Sequence, residues 1–139
     1  LHVRSRRQRQ MCIRDRDTAL FLHDLTDRTP HKFHMAFPYG YNTSSPKAAG
    51  ILCSCKKEPY YSLGIALVDT PAGNTVRAYN AEKTLCEILK PISHTDIQII
   101  TDAFKRYAGR KDKNIPLLSE YAHQLRVEKR LRPYLEVLL

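Results

Sequence analysis

Five glycines in 139 residues leave little room for a loop that cradles phosphate through closely spaced backbone N–H groups. None of G-x-x-x-x-G-K-[ST], G-x-G-x-x-G or G-x-S-x-G occurs, which removes the P-loop, dinucleotide-binding and nucleophile-elbow readings. Cysteine is scarce too. Cys12, Cys53, Cys55 and Cys86 form no C-x₂₋₄-C pair answered by a second pair or by two histidines, so the spacing of a zinc site is missing. Cys53 and Cys55 point to one face of an expected strand, a geometry that is not readily bridged, and reduced thiols are expected. No stretch approaches the ~18 apolar residues of a spanning helix, so no membrane partner is expected and the location is read as cytoplasmic. Asn42-Thr43-Ser44 spells a glycosylation acceptor only by chance in that setting.

What the chain has is positive charge, unevenly spread. Lys and Arg number 23 against 14 Asp and Glu, a net +9. Residues 1–16 hold Arg4, Arg6, Arg7, Arg9, Arg14 and Arg16 against Asp15 alone; the remainder counts 17 against 13, or +4. A basic arm that neutralises phosphates would explain this. The other explanation is that the segment is not native, since "MCIRD" (11–15) looks like a translated sequencing adapter. No apolar run follows the arginines, so it is not a secretory signal. Residues 1–16 are therefore expected to be a disordered, non-native segment ahead of a folded unit at 17–139. A chain of this length is expected to form one domain with a self-sufficient core.

The periodicity predicts α+β. "DTALFLHDL" reads as a short helix capped by Asp17 or Thr18 and ended before Pro30. "KFHMAFP" alternates as a half-buried strand, "YGYNTSSPK" reads as a loop, and "GILCSC", "LGIALVDT" and "TVRAY" read as strands, the last two joined by a turn at "PAGN". That makes a small, mostly antiparallel sheet of about four strands. The second half changes to a period of 3.6 and predicts four helices packed on the sheet: one from Asn80 with Leu85, Ile88 and Leu89 inward, one after a near capping box at Ser93-x-x-Asp96, one from Asn114, and a last helix that Pro133 kinks or restarts.

No catalytic constellation emerges, so neither catalytic residues, nor a cofactor, nor a metal site is assigned and the chain is read as no enzyme. Ser93-His94-Thr95-Asp96 holds the letters of a hydrolase triad, but neighbours at one helix start cannot form a relay that draws on separate elements. The six histidines are scattered and none forms H-x₃-H or H-E-x-x-H. A charge pattern remains. Lys105, Arg106, Arg110, Lys111 and Lys113 surround the end of the longest helix, and Arg126, Lys129, Arg130 and Arg132 precede the last. Cations gather near helix C-termini for stability alone; the same nine residues are the candidate surface for nucleic acid or an acidic partner.

The segments "DTALFLHDLTDRTPHKFHMAFPYGYNTS", "AEKTLCEILK", "DIQIITDAFKRYAGRKDKNIPLLSEYAHQLRVEK" and the terminal "YLEVLL" together resemble the AbiEi family, antitoxins of type IV (abortive infection) toxin–antitoxin systems of bacteria. The likeness spans about Asp17 to Leu139. It implies a C-terminal antitoxin domain that in the family follows a winged helix-turn-helix binding the operon promoter DNA. It also implies a nucleotidyltransferase-like toxin as functional counterpart, with no stable complex between the two and no enzymatic activity. The winged helix has no counterpart ahead of Asp17, so promoter binding is expected to be weakened or lost. The competing reading, a small metal-dependent nuclease or nucleotidyltransferase, requires Asp69, Glu82 and Asp96 to converge within reach of ions ~4 Å apart.

Overall fold

The computed structural model describes residues 12–138. The described residues form, in chain order, β1 (Ile13–Arg14), α1 (Arg16–Leu22), β2 (His34–Pro38), α2 (Ser44–Ala48), β3 (Leu52–Lys56), β4 (Ile65–Asp69), β5 (Thr75–Tyr79), α3 (Ala81–Leu89), α4 (Ile97–Ala108), α5 (Ile115–Gln124) and α6 (Glu128–Leu138). A 3₁₀ turn, Pro91–Ser93, joins α3 to α4. The sheet order is β3-β2-β1-β5-β4. Pairings β1–β2 and β4–β5 are antiparallel, while β1–β5 and β2–β3 are parallel. The mixed α/β class fits the sequence, but the sheet has five strands rather than four and is mixed rather than mostly antiparallel. The fifth strand is β1, which enters the centre of the sheet, pairs parallel with β5 and separates β2–β3 from the β4–β5 hairpin. Strands β2 and β3 are themselves parallel because the connection through α2 crosses over.

That strand corrects the N-terminal boundary. Residues 12–16, expected within a disordered segment, are part of the fold; the rest of that segment, residues 1–11, lies outside the described residues. Ile13 is fully buried opposite Ala36, Cys12 is buried, and Asp15 caps α1 by accepting from the Arg16 N–H at 2.8 Å. The hydroxyl of Thr18, an expected cap, is engaged elsewhere. It accepts the His34 N–H at 2.8 Å and so ties α1 to β2.

Alternation along the strands sorts the apolar residues onto two faces. Ile13, Ala36 and Tyr79 meet Tyr61 and Ile65 on one face, and Cys12, Met35, Phe37 and Ile51 meet Tyr41 and Cys53 on the other. The largest cluster belongs to the helices, where Leu20, Leu85, Ile88, Phe104, Tyr107, Leu118 and Leu131 close around α3. The expected caps Asn80 and Asn114 accept from the N–H groups of Lys83 and Leu117. Asp96 caps α4 by itself, accepting from Gln98 at 2.7 Å, because Ser93 is engaged in the 3₁₀ turn, donating to the Ile88 carbonyl. Pro133 does not restart the final helix, which is continuous from Glu128 to Leu138. The four thiols are unbridged.

Candidate functional site

The nine candidate cations divide by what their side chains touch. Arg106 pairs with Asp102 one turn back at 2.9 Å. Arg110 grips both oxygens of Asp112 at 2.8 Å and donates to the His23 carbonyl at 3.0 Å, so it fastens the α4–α5 loop to the end of α1. The same guanidinium holds the Asp112 carboxyl below its ordinary pKa. Lys113 donates to the Ala108 carbonyl at 2.9 Å, satisfying one of the orphan acceptors at the C-terminus of α4. These three serve the fold. Lys105, Lys111, Arg126, Lys129, Arg130 and Arg132 are exposed, and their side chains have no hydrogen bond or ion pair among the described residues.

Stability accounts for only part of that remainder. Lys105 lies in the last turn of α4, where the helix dipole favours a cation. Lys129 and Arg130 lie in the first turn of α6, where the dipole opposes one. Arg126 occupies the left-handed region at φ 60° in the turn between α5 and α6. There the Val127 N–H reaches back to the Ala122 carbonyl at 2.9 Å and the Arg126 N–H to that of His123, a Schellman turn in which glycine is the usual residue. Arginine there is disfavoured by about 1–2 kcal/mol. The backbone cost at Arg126 falls on any side chain and its charge suits the C-terminus of α5, so the dipole opposes only Lys129 and Arg130; all three remain solvent-facing.

A second group of charges lies inside. Glu87 on α3 is fully buried beneath three lysines. Lys56 Nζ donates to one carboxylate oxygen at 2.7 Å, and Lys83 and Lys90 stand 3.6 and 3.4 Å from the other. Lys56 also reaches Asp15 at 3.2 Å. Lys83, itself without exposure, donates to the carbonyls of Tyr60 and Leu63 at 2.8 and 3.1 Å and sits 3.7 Å above the Tyr79 ring. Burial pulls its pKa down to about 8 against the attraction of Glu87. Burial by itself would raise Glu87, but the surrounding ammonium groups outweigh it and hold the carboxyl below its ordinary value. Only the Lys83-x-x-x-Glu87-x-x-Lys90 spacing of this cluster is local in the sequence; Lys56 and Asp15 join it from β3 and the β1–α1 junction, far away in the chain. With the arms of Lys56 and Lys83 turned inward onto carbonyls, carboxylates and a ring, the cluster acts as a clamp between sheet and helices.

The carboxylates required for two-metal chemistry do not assemble. Glu82 accepts from the Tyr107 hydroxyl at 2.5 Å within the helical core, Asp96 caps α4, and Asp69 is exposed at the end of β4. Among the described residues no group of three or more His, Cys, Asp and Glu side chains is placed to hold a metal ion. A groove of about 550 Å³ is lined by Leu20, Pro30, Leu52 and Ile99 together with the polar Asp17, Thr26, Arg28, Thr29, His31 and Lys32. No helix among the described residues is long and apolar enough to cross a membrane. No protein-family model matches the chain, and no curated protein does.

Proposed function

We propose that this chain is the antitoxin portion of an AbiEi-like, type IV toxin–antitoxin regulator that acts by binding rather than catalysis. The observation that carries the reading is the joint likeness of the four segments between Asp17 and Leu139, in order and spacing. Two further features support it. Lys129 and Arg130 are kept against the dipole of α6, which fits a surface that meets phosphates or another acidic partner. The buried charges are used up in holding the fold.

In this reading Arg126, Lys129, Arg130 and Arg132, with Lys105 and Lys111, form the contact surface, and Arg106, Arg110 and Lys113 position it. Operon promoter DNA is the partner of the full-length regulator. The nucleotidyltransferase-like toxin is the functional counterpart, opposed without a lasting complex.

Co-expression tests it. A chain that folds restores growth to cells expressing the nucleotidyltransferase-like toxin encoded beside it, and the Arg126→Glu/Lys129→Glu/Arg130→Glu variant loses that protection while remaining folded. Continued arrest in the presence of the folded wild-type chain overturns the proposal.

A further inference from the structure

The β4–β5 hairpin reaches beyond its neighbours. β5 meets β1 only near its C-terminal end, where Arg14 lies opposite Ala78, and residues 71–75 at the hairpin's far end are all exposed. β4 is the terminal strand of the sheet among the described residues. Its sequence, IALVD, has no proline or lysine, its five pairs with β5 run without a bulge, and its one charge, Asp69, lies at its end. Leu67, at its centre, is 75% exposed.

The register identifies which backbone groups are open. The Thr70 N–H donates to the Asn74 carbonyl and the Asn80 N–H to the Gly64 carbonyl, both at 2.7 Å. Stepping by two between these points puts Ala66 and Val68 at the positions bonded to β5, opposite Ala78 and Val76. Ile65, Leu67 and Asp69 therefore turn their N–H and C=O groups outward, in a set that is symmetric about Leu67.

We propose that this edge pairs antiparallel with the same edge of a second copy of the chain, with the two-fold axis passing at Leu67. Leu67 then faces Leu67, and Ile65 faces Asp69 of the other copy, so every outward residue meets an outward residue and six ladder hydrogen bonds close. No like charges oppose one another. Sliding by two residues leaves two facing pairs, and the slide that sets Asp69 against Asp69 leaves one and opposes two carboxylates. The strand's own pattern therefore selects a single register with a copy of itself. Two five-residue strands and one leucine pair fall well short of the ~1,200 Å² of a stable complex, so the dissociation constant is on the order of 10⁻⁴ M.

Sedimentation velocity on the full 139-residue chain, from about 20 µM to about 1 mM, tests this. The weight-average coefficient rises towards that of a dimer in the wild type. In Leu67→Lys, which sets two ammonium groups face to face on the axis, it stays at the monomer value. Leu67→Pro removes only the outward N–H of an edge position and weakens the association without loss of the thermal transition. Over the same range, amide exchange slows at Leu67 and Asp69 and stays constant at Thr70, whose N–H is already bonded. A wild-type chain that is monomeric throughout, or a dimer that Leu67→Lys leaves intact, overturns the proposal.

Discussion

Gly64 is the residue on which the sheet and the central helix depend for their close approach. Its φ of 82° belongs to the left-handed region, and a Cβ built there lies 2.8 Å from the Lys83 Cβ and 3.3 Å from Asn80 Oδ1. Gly64→Ala combines backbone strain with a collision against a side chain pinned by two carbonyls, a ring and a carboxylate, and it lowers stability by about 2–4 kcal/mol in thermal or denaturant melts. Gly73→Ala is the control, with a similar φ of 87° and open space around it; its loss is confined to the strain, about 1–2 kcal/mol. Equal losses in the two variants would remove Lys83 from the explanation. Lys83 supplies its own signature. Its folded pKa of about 8 lies below the 10.5 of an unperturbed lysine, so between those values the unfolded chain binds more protons and stability rises with pH. Burial shifts Cys86, Tyr61 and Tyr79 upward, and they act oppositely, the thiol from about pH 9 and the tyrosines above about pH 10. Measured as the difference in Tm between wild type and Lys83→Met, the wild type gains on the variant from pH 8 to 9, below the range in which the thiol and the tyrosines titrate in the unfolded chain. A constant difference would mean that the lysine is not desolvated.

At the scale of elements, the helices were legible and the sheet was only partly so. Leu85, Ile88 and Leu89, the stripe through Ile100, Phe104 and Tyr107, and the caps Asn80 and Asn114 all carry local signals, because a helix closes its hydrogen bonds within itself. The burial of Glu82, Lys83, Thr84 and Glu87 was not legible, since their polar character reads as a solvent face and their partners come from β3, the α4 core and the hairpin. The short α2 lacks apolar periodicity and reads as a loop. β1 is the extreme case: two residues in an arginine-rich run, without alternation, made a strand only by β2 and β5 on either side. Its worth to the fold is measurable. Ile13 is fully buried between the two halves of the sheet, so Ile13→Ala destabilises by about 2–5 kcal/mol in a denaturant melt. A change below about 0.5 kcal/mol, as found at surface positions, would return the boundary of the fold to Asp17.

For the whole molecule, net charge overstates how many cations are free to meet a partner. Much of the cationic character belongs either to the opening segment or to residues that the fold consumes: Arg110 on Asp112 and His23, Lys113 on the end of α4, and Lys56 and Lys83 around Glu87. What is left for a partner is small and local, and this separates two kinds of arginine that composition counts alike. Lys129→Glu/Arg130→Glu replaces two cations in the first turn of α6 with two anions. Each reversal relieves an unfavourable dipole interaction, so stability is unchanged or rises by about 0.3–1 kcal/mol per site. If the pair contacts phosphates, the same variant weakens binding to double-stranded DNA and flattens the log–log salt dependence by about 0.9 per contact removed. Arg110→Ala gives the mirror image. Loss of its hydrogen bonds to Asp112 and to the His23 carbonyl lowers stability by about 1–2 kcal/mol, while the salt slope of the folded protein keeps its wild-type value. Fluorescence anisotropy titrations across a series of salt concentrations, paired with thermal melts of the same preparations, read both quantities. Should the two variants alter slope and stability in the same direction, the division between cations that hold the fold and cations that meet a partner would be wrong.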